Sequence, residues 1–310
     1  MNILLFGAAG FIGTNLALKL KEDPNNQITA VDVNQDFFHP DLKNIPGIRL
    51  LESTIDAKTD FAALFAGQDV VYHLVSTTVP TTSNQQIADE LTANVVMTAR
   101  LLDGCVASGV KKVVFISSGG TVYGKASGCP LAEDTPTNPI SSYGVQKVTI
   151  ERLLYLYHYM HGLDYRVIRL ANPYGPYQRP NGVLGAVTTF TYKALKGEQI
   201  SVFGDGSVVR DFIYIEDAVR AILQIANKDC AHKTFNLGSG YGTSIRQVLD
   251  HIASTLQIPL DIAWLPGRAV DVPVNFLDIS RYEAEFGALS PISLPEGILK
   301  TAEFLKEHHL

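Results

Sequence analysis

Asn2-Ile-Leu-Leu-Phe-Gly-Ala-Ala-Gly-Phe-Ile-Gly13 is followed by Thr14 to Lys21 and then by Gln27-Ile-Thr-Ala-Val-Asp32. The apolar run from Asn2 to Phe6 reads as a strand, Thr14 to Lys21 as an amphipathic helix, and Gln27 to Asp32 as a second strand. Gly7, Gly10 and Gly13 lie between strand and helix in a G-x-x-G-x-x-G pattern. Such a junction is a phosphate cradle. Gly7 permits the tight turn, Gly10 lets the backbone approach a pyrophosphate, and Gly13 lets helix and strand pack closely. The first helical N–H groups, those of Phe11 and Ile12 among them, are unpaired donors facing the anion. Asp32, roughly 20 residues past the turn, is placed to accept from adenosine ribose hydroxyls. Its carboxylate would repel a 2′-phosphate, so the expected cofactor is NAD rather than NADP.

The rest of the composition agrees with a packed enzyme. The chain has 310 residues, 46% hydrophobic and 18% charged, enough for one large domain or one domain with a smaller lobe. A net charge of −6, a pI near 5.7 and the lack of a basic stripe argue against a nucleic-acid partner. Cys105, Cys129 and Cys230 are far apart without metal-ligand spacing, so reduced thiols and no bound metal are expected. The first residues read as a core strand rather than a leader. No apolar run reaches the ~18 residues of a membrane span, so no membrane partner is expected and the expected location is the cytoplasm.

Downstream, strands and helices alternate. Ile48 to Leu51, Val70 to Val75, Val113 to Ile116 and Tyr165 to Leu170 read as strands. Phe61 to Phe65 reads as a short helix, and Ile87 to Ser108 as one long helix closed by Gly109. The pattern predicts an α/β protein: a Rossmann-type, doubly wound parallel sheet over 1–172, with a later segment near 211–237 returning to it. Residues 173–310, where short strands and Pro/Gly turns mix with helices (Val183 to Lys196, Glu216 to Ala226, Ser244 to Leu256), are read mainly as a smaller mixed α/β substrate lobe. Ligands of such sheets bind at the carboxyl ends of the strands, which places Ser76 and Ser117 to Gly120 near the cofactor. Thr54 and Ile55 lie where a loop can touch the adenine.

The chemistry is expected at Ser141-Ser-Tyr143-Gly-Val-Gln-Lys147, which opens a helix reaching about His161. Tyr143 and Lys147 are one turn apart and share a face. A tyrosine is a poor base near neutrality, but an ammonium one turn away and a positive nicotinamide would stabilise its phenolate. Tyr192 and Lys196 repeat the spacing, but there an exposed helix face before Gly197 is the better reading. Arg210 and Arg268 are the cations of interest in the lobe, because the guanidinium fork suits a phosphate.

Taken together, the glycine turn, Asp69-Val-Val-Tyr-His-Leu74, Asn94, Thr121-Val-Tyr-Gly124, Tyr143 to Lys147, Asn172-Pro-Tyr-Gly-Pro176, Gly204-Asp-Gly206, Arg210-Asp-Phe-Ile213, Asn236-Leu-Gly238 and Arg268-Ala-Val-Asp271 resemble the extended short-chain dehydrogenase/reductases. Within them the likeness is to nucleotide-sugar 4-epimerases of the UDP-glucose 4-epimerase type, and it runs from Met1 to about Phe286. The resemblance implies that Tyr143 is the base and that Lys147 binds the nicotinamide ribose. It adds Leu74, Asn94 and Pro173 to the NAD side. On the substrate side it implies Asn172 at the sugar or its phosphate, Val202 and Phe203 at the uracil, Arg210, Arg268 and Asp271 at the diphosphate and ribose, and Val183 in the pocket. The implied reaction removes hydride from C4 to NAD, turns the 4-keto sugar over and returns the hydride to its other face.

Two positions depart from that family. Its usual Ser or Thr is Gly119 here, so the hydroxyl must come from Thr121 or Ser118; Gly119-Gly120 also lacks the acid pair of related dehydratases. A common acid of the adenine loop is Thr54. At the position that limits pocket size stands Asn275, which would admit a bulky C2 substituent such as N-acetyl, while Arg179 is the candidate partner for a uronic acid carboxylate. The resemblance also implies a homodimer, with Ile87–Ser108 and Ser141–His161 pairing across a two-fold as a four-helix bundle.

Overall fold

The computed structural model describes residues 1–80, 82–126, 128–180, 184–267 and 272–310. In chain order the main elements are β1 (Asn2–Phe6), α1 (Phe11–Leu20), β2 (Gln27–Asp32), β3 (Ile48–Glu52), α2 (Phe61–Phe65), β4 (Val70–His73), α3 (Ile87–Leu91), α4 (Met97–Ala107), β5 (Lys112–Ser118), α5 (Ser142–His161), β6 (Asp164–Leu170) and β7 (Asn172–Tyr174). They continue with α6 (Ala186–Lys196), β8 (Ile200–Phe203), β9 (Val209–Arg210), β10 (Phe212–Tyr214), α7 (Ile215–Asn227), β11 (Thr234–Leu237), β12 (Thr243–Ser244), α8 (Ile245–Leu256), β13 (Ile262–Leu265), β14 (Val274–Asn275), α9 (Ser280–Phe286) and α10 (Leu294–His308).

Seven strands form one parallel sheet in the order β11-β6-β5-β4-β1-β2-β3. Strand order reverses between β1 and β4, and a ligand crevice opens at such a switch point. Alternation along each strand feeds two cores. Ile3 and Leu5 of β1, with Val114 and Ile116 of β5, pack with Leu16 and Ala17 of α1 and Ile222 and Ile225 of α7. Leu4 and Phe6, with Val113 and Phe115, pack with Phe65 of α2, Leu101 of α4 and Leu154 of α5 on the opposite face. Helices on both faces make this a Rossmann-type doubly wound fold.

A third cluster lies in the C-terminal part. There Val187 of α6, Ile200 and Val202 of β8, Leu249 of α8 and Ile298 of α10 bury one another. The two parts are interleaved, because β11 joins the main sheet beside β6 and β10 pairs with β7.

The span read as one long helix is interrupted. Between α3 and α4, Thr92–Val96 forms a π-helical turn, the kind of insertion that re-aims side chains near functional sites. Its cause is local: Asn94 turns inward and bonds the Glu90 carbonyl (3.0 Å) and the Thr77 hydroxyl (2.9 Å). Helix α6 starts at Ala186; Val183 lies outside the described residues. Helices α9 and α10 were not anticipated from periodicity. The start of α10 is nonetheless marked by Ser293, whose side chain accepts from Glu296 N, and by an early proline.

Candidate active site

The glycine turn sits at the carboxyl end of β1. Gly7 has φ of +82°, and its amide donates to Val31 O at 2.9 Å, which ties the turn to β2. A Cβ on Gly13 would stand 2.1 Å from Gly7 O and 2.7 Å from Ala8 Cα, so only glycine lets α1 approach β1 this closely. Helix α1 has no side-chain cap at Gly10 and no acid in its first turn, so the first N–H groups, including those of Phe11 and Ile12, are left for an anion. Asp32, at the end of β2, braces the turn: its Oδ2 accepts from Ala9 N (2.9 Å) and its Oδ1 from Val33 N (2.8 Å). Beyond it, Thr54 lines an open polar groove with Val33, Ser53, Asp56 and Lys58, while Ile55 packs into the core behind. The close approach, the left-handed Gly7, the open helix terminus and an acid at the end of β2 fit a dinucleotide.

Helix α5 brings Tyr143 and Lys147 to the ends of β4 and β5. The Ser141 side chain caps it by accepting from Gly144 N, and Gly162 ends it in a left-handed conformation. Lys147 Nζ donates to Ile116 O at 2.9 Å and lies 4.7 Å from the Phe115 ring centre and 5.4 Å from that of Tyr143. Lys147 is 5% exposed. Burial pulls its ammonium down to about 8, with the Glu151 carboxylate opposing. Burial pushes the Tyr143 phenol up to about 12, with a hydrogen bond from Ser118 opposing. His73, at the end of β4, is pulled down to about 3 by burial and by Lys147 and is therefore neutral.

Of the two candidate hydroxyls, Ser118 is the one beside Tyr143. Thr121 Oγ1 is buried without a hydrogen-bond partner. A side chain at Gly119 would need its neighbours to move: its Cβ would lie 2.5 Å from Leu277 Cδ1 and 3.0 Å from Arg169 O. Leu277, fully buried, fills that space.

Other expected cofactor contacts are engaged elsewhere. Ser117 was placed near the cofactor, but its hydroxyl donates to Glu151 in a buried network beneath the site. Successive residues of a strand face opposite ways, so the side chains of Ser117 and Ser118 point to opposite faces of β5. In the network, Arg169 Nη2 pairs with Glu151 Oε2 at 2.7 Å, Arg169 Nη1 donates to Tyr123 OH at 3.0 Å, and Tyr123 donates to Asn236 Oδ1 at 2.6 Å. Asn94 spends its amide on the loop after β4, accepting from Thr77 N at 2.9 Å. Ser76 donates to Thr78 O at 2.8 Å, and Thr78 donates to Gln146 Oε1 at 3.1 Å. These bonds fasten that loop to α5. Leu74 lies against the turn, 3.3 Å from where a Gly7 Cβ would sit.

On the substrate side, Asn172 Nδ2 donates to Asp211 O at 2.8 Å, and Pro173 pairs with Ile213 between β7 and β10. Arg210 Nη1 donates to Val209 O (2.8 Å) and Val272 O (2.6 Å). Asn275, buried on β14 opposite Arg210, directs Nδ2 toward Gly119 O at 3.4 Å. Val202 and Phe203, both expected at the base, present their side chains differently. Phe203 is 43% exposed, but Val202 is 2% exposed and belongs to the lobe's core, because neighbours on β8 face opposite sides. Arg179 is also redirected: its guanidinium lies 5.5 Å from the Phe37 ring, on the loop after β2. Val183, Arg268 and Asp271 lie outside the described residues.

Three supporting residues were not anticipated. Glu151 follows Lys147 by one helical turn, so the stripe Tyr143-Lys147-Glu151 was available to a helical reading. Its partner Arg169 was not, since nothing local marks a buried cation on β6. Asp211 accepts from Ser239 N (2.7 Å) and Leu277 N (3.2 Å) and holds the lobe's turns together.

Comparison with known proteins bears on this arrangement. The model of the NAD dependent epimerase/dehydratase family matches residues 3–238. Over 99% of both chains, the sequence is 34% identical to a UDP-glucose 4-epimerase of Mycolicibacterium smegmatis. The solved structure of a UDP-glucose 4-epimerase from Thermotoga maritima with UDP-glucose is similar with a TM-score of 0.91 and 32% identity, covering 99% of each chain. A UDP-glucuronic acid 4-epimerase from Bacillus cereus, solved with UDP-glucuronic acid and NAD, gives a TM-score of 0.89 at 27% identity and the same coverage.

Proposed function

This chain belongs to the NAD-dependent epimerase/dehydratase family, and from that membership we propose that it inverts C4 of a UDP-sugar with an NAD that stays bound through the cycle. The observation that carries the reading is the trio at the crevice: Tyr143 and Lys147 on one face of α5, with the Ser118 hydroxyl on the phenol. The glycine turn and Asp32 hold the cofactor, with Pro173 on its nicotinamide side. Residues 1–172 and about 211–237 carry NAD, and 173–310 mainly the sugar nucleotide. Asn172 and Arg210 face the sugar diphosphate, and the exposed ring of Phe203 packs the base.

Burial alone leaves Tyr143 protonated at neutral pH. The Lys147 ammonium beside its ring favours the phenolate, so that Tyr143 takes the proton of the 4-hydroxyl and later returns it. Ser118 donates to the same oxygen and orients it. NAD, when bound, supplies the reversible hydride exchange at C4. Residues 119 and 120 are glycines, so no acid stands there to expel water from the sugar, which favours epimerisation over dehydration.

Asn275 is small and already turned to the Gly119 carbonyl, which supports acceptance of UDP-N-acetylglucosamine as well as UDP-glucose. Arg179 rests on Phe37, so UDP-glucuronate is the least favoured of the three. Incubating the protein with each sugar, without added cofactor, and following C4 epimers by NMR tests the reading. Interconversion supports it. A 4-keto-6-deoxy product, or a stoichiometric need for reduced nicotinamide, moves the chain to the dehydratases or reductases.

A homodimer through α3–α4 and α5 is part of the same proposal. Tyr155, Leu156, Tyr159 and Met160 of α5, with Ile87 and Val96 on the neighbouring run, are large apolar side chains left exposed. A monomer in sedimentation equilibrium at micromolar concentration would refute it.

A further inference from the structure

Where the turn after β2 meets the end of α10, His39, Asp41 and His308 bring one ligand atom each within 4.8 Å of one another. They come from two distant segments. His39 and Asp41 flank Pro40 in a short 3₁₀ turn after β2, a turn anchored by the fully buried Leu42. His308 is the last residue of α10, whose Ile298 is fixed in the core of the C-terminal lobe.

The side chains are held in place by their neighbours. Tyr177 OH donates to Asp41 Oδ2 at 2.6 Å, although Tyr177 must adopt a left-handed φ of +68° at its position. His308 stacks on Phe304 with centroids 4.2 Å apart, and Phe304 also packs edge-on against Tyr177 at 4.8 Å. His308 Nδ1 lies 3.1 Å from Phe304 O. When Nδ1 carries the proton for that bond, the Nε2 lone pair is free to bind an ion, the arrangement usual for a metal-bound imidazole. His39 Nδ1 is 3.4 Å from Asp41 Oδ2 and accepts from Asp41 N at 3.3 Å, a bond that an ion on Nδ1 would replace. Ligand atoms of a tetrahedral zinc site, at bond lengths of ~2.0–2.1 Å, stand about 3.4 Å apart.

We propose that His39, Asp41 and His308 bind one transition-metal dication of the Zn²⁺ class, joining the loop behind Asp32 to the C-terminal helix. Two imidazoles and one carboxylate suit a borderline cation and not Mg²⁺ or Ca²⁺, which take oxygen ligands. Asp41 and His308 are exposed, so the ion enters from solvent and a fourth position stays open to water. The carboxylate is oriented from behind by Tyr177. The role is structural: the ion would tie the turn after β2 to the end of α10.

The full-length protein without a histidine tag, stripped with chelator, is titrated with ZnCl₂ in a calorimeter, with MgCl₂ as the control. The expected result is saturable uptake of about one Zn²⁺ per chain, a higher thermal midpoint with Zn²⁺ and no response to Mg²⁺. Asp41→Asn and His308→Ala are each expected to bind at least about tenfold more weakly, with NAD content equal to wild type as the check on folding. His232→Ala, remote from the cluster, should bind as wild type. No saturable uptake, or wild-type affinity in both Asp41→Asn and His308→Ala, overturns the assignment.

Discussion

Under the proposed function, two parts of the crevice hold diphosphates, and they are assembled in opposite ways. The turn at Gly7–Gly13 is one continuous stretch, shaped by backbone: a left-handed Gly7, a Gly13 that admits no Cβ, and an open helix terminus. The floor around Arg210 is stitched from distant segments. Strand β9 pairs with β12 on one side and β14 on the other. Arg210 donates to Val272 O, Asp211 accepts from Leu277 N, and Asn275 reaches back to Gly119 O. A binding site made of backbone shape can be encoded in a dozen consecutive residues. One made of side chains depends on the whole fold.

The largest effect is expected where neither part is touched. Tyr143→Phe removes only the phenol oxygen, so both nucleotides should still bind while turnover falls by about 10²- to 10⁴-fold. Steady-state rates, together with the NAD content of the purified protein, check this; wild-type turnover would remove Tyr143 from the mechanism. Gly13→Ala attacks the turn. With backbone atoms 2.1 and 2.7 Å from the new methyl, helix and strand must separate, at a cost of about 1–3 kcal/mol or more. Loss of co-purified NAD and a lower urea midpoint are the readouts.

Arg210→Ala attacks the floor. If it binds a phosphate, its loss should cost about 1.5–3 kcal/mol, a rise of roughly 10- to 100-fold in the Kd for UDP, measured by calorimetry. NAD content should not change, because the turn is built without it. Equal losses of both ligands in either variant would contradict the separation of the two parts.

The smallest and most graded effect concerns pH. Lys147 has its proton affinity lowered in the fold, to about 8 against an ordinary 10.5. Below about 8 the folded and unfolded chains both hold the proton, and the burial cost is fully present. Between about 8 and 10.5 the unfolded chain binds more protons, so stability contributed at this site rises with pH. Wild type should therefore gain on Lys147→Met over that range in denaturant titrations. Turnover should fall over the same range, because the ammonium that favours the Tyr143 phenolate is lost.

The same contrast governs what could be read from sequence. The glycine turn, Asp32, the parallel sheet and the Tyr143–Lys147 face are local patterns of period and spacing, and all were legible. Gly119 was visible as a departure, but its cause was not, since Leu277 meets it only in the fold. Alternation on β8 and β5 was legible too, and it sets the side chains of Val202 and Phe203, and of Ser117 and Ser118, on opposite faces. The π-helical turn at Asn94 and the Glu151–Arg169 pair escaped because each involves a partner well separated in sequence, Thr77 for Asn94 and a residue of β6 for Glu151.

The central claim, that hydride leaves C4 and returns to the same carbon of the same sugar, is tested most directly with isotope. UDP-glucose deuterated at C4 is incubated in ordinary water with the purified protein, and the C4 epimer is examined by NMR and mass spectrometry. The account predicts an epimer that keeps its deuterium at C4. Deuterium replaced by solvent hydrogen in the epimer would contradict it.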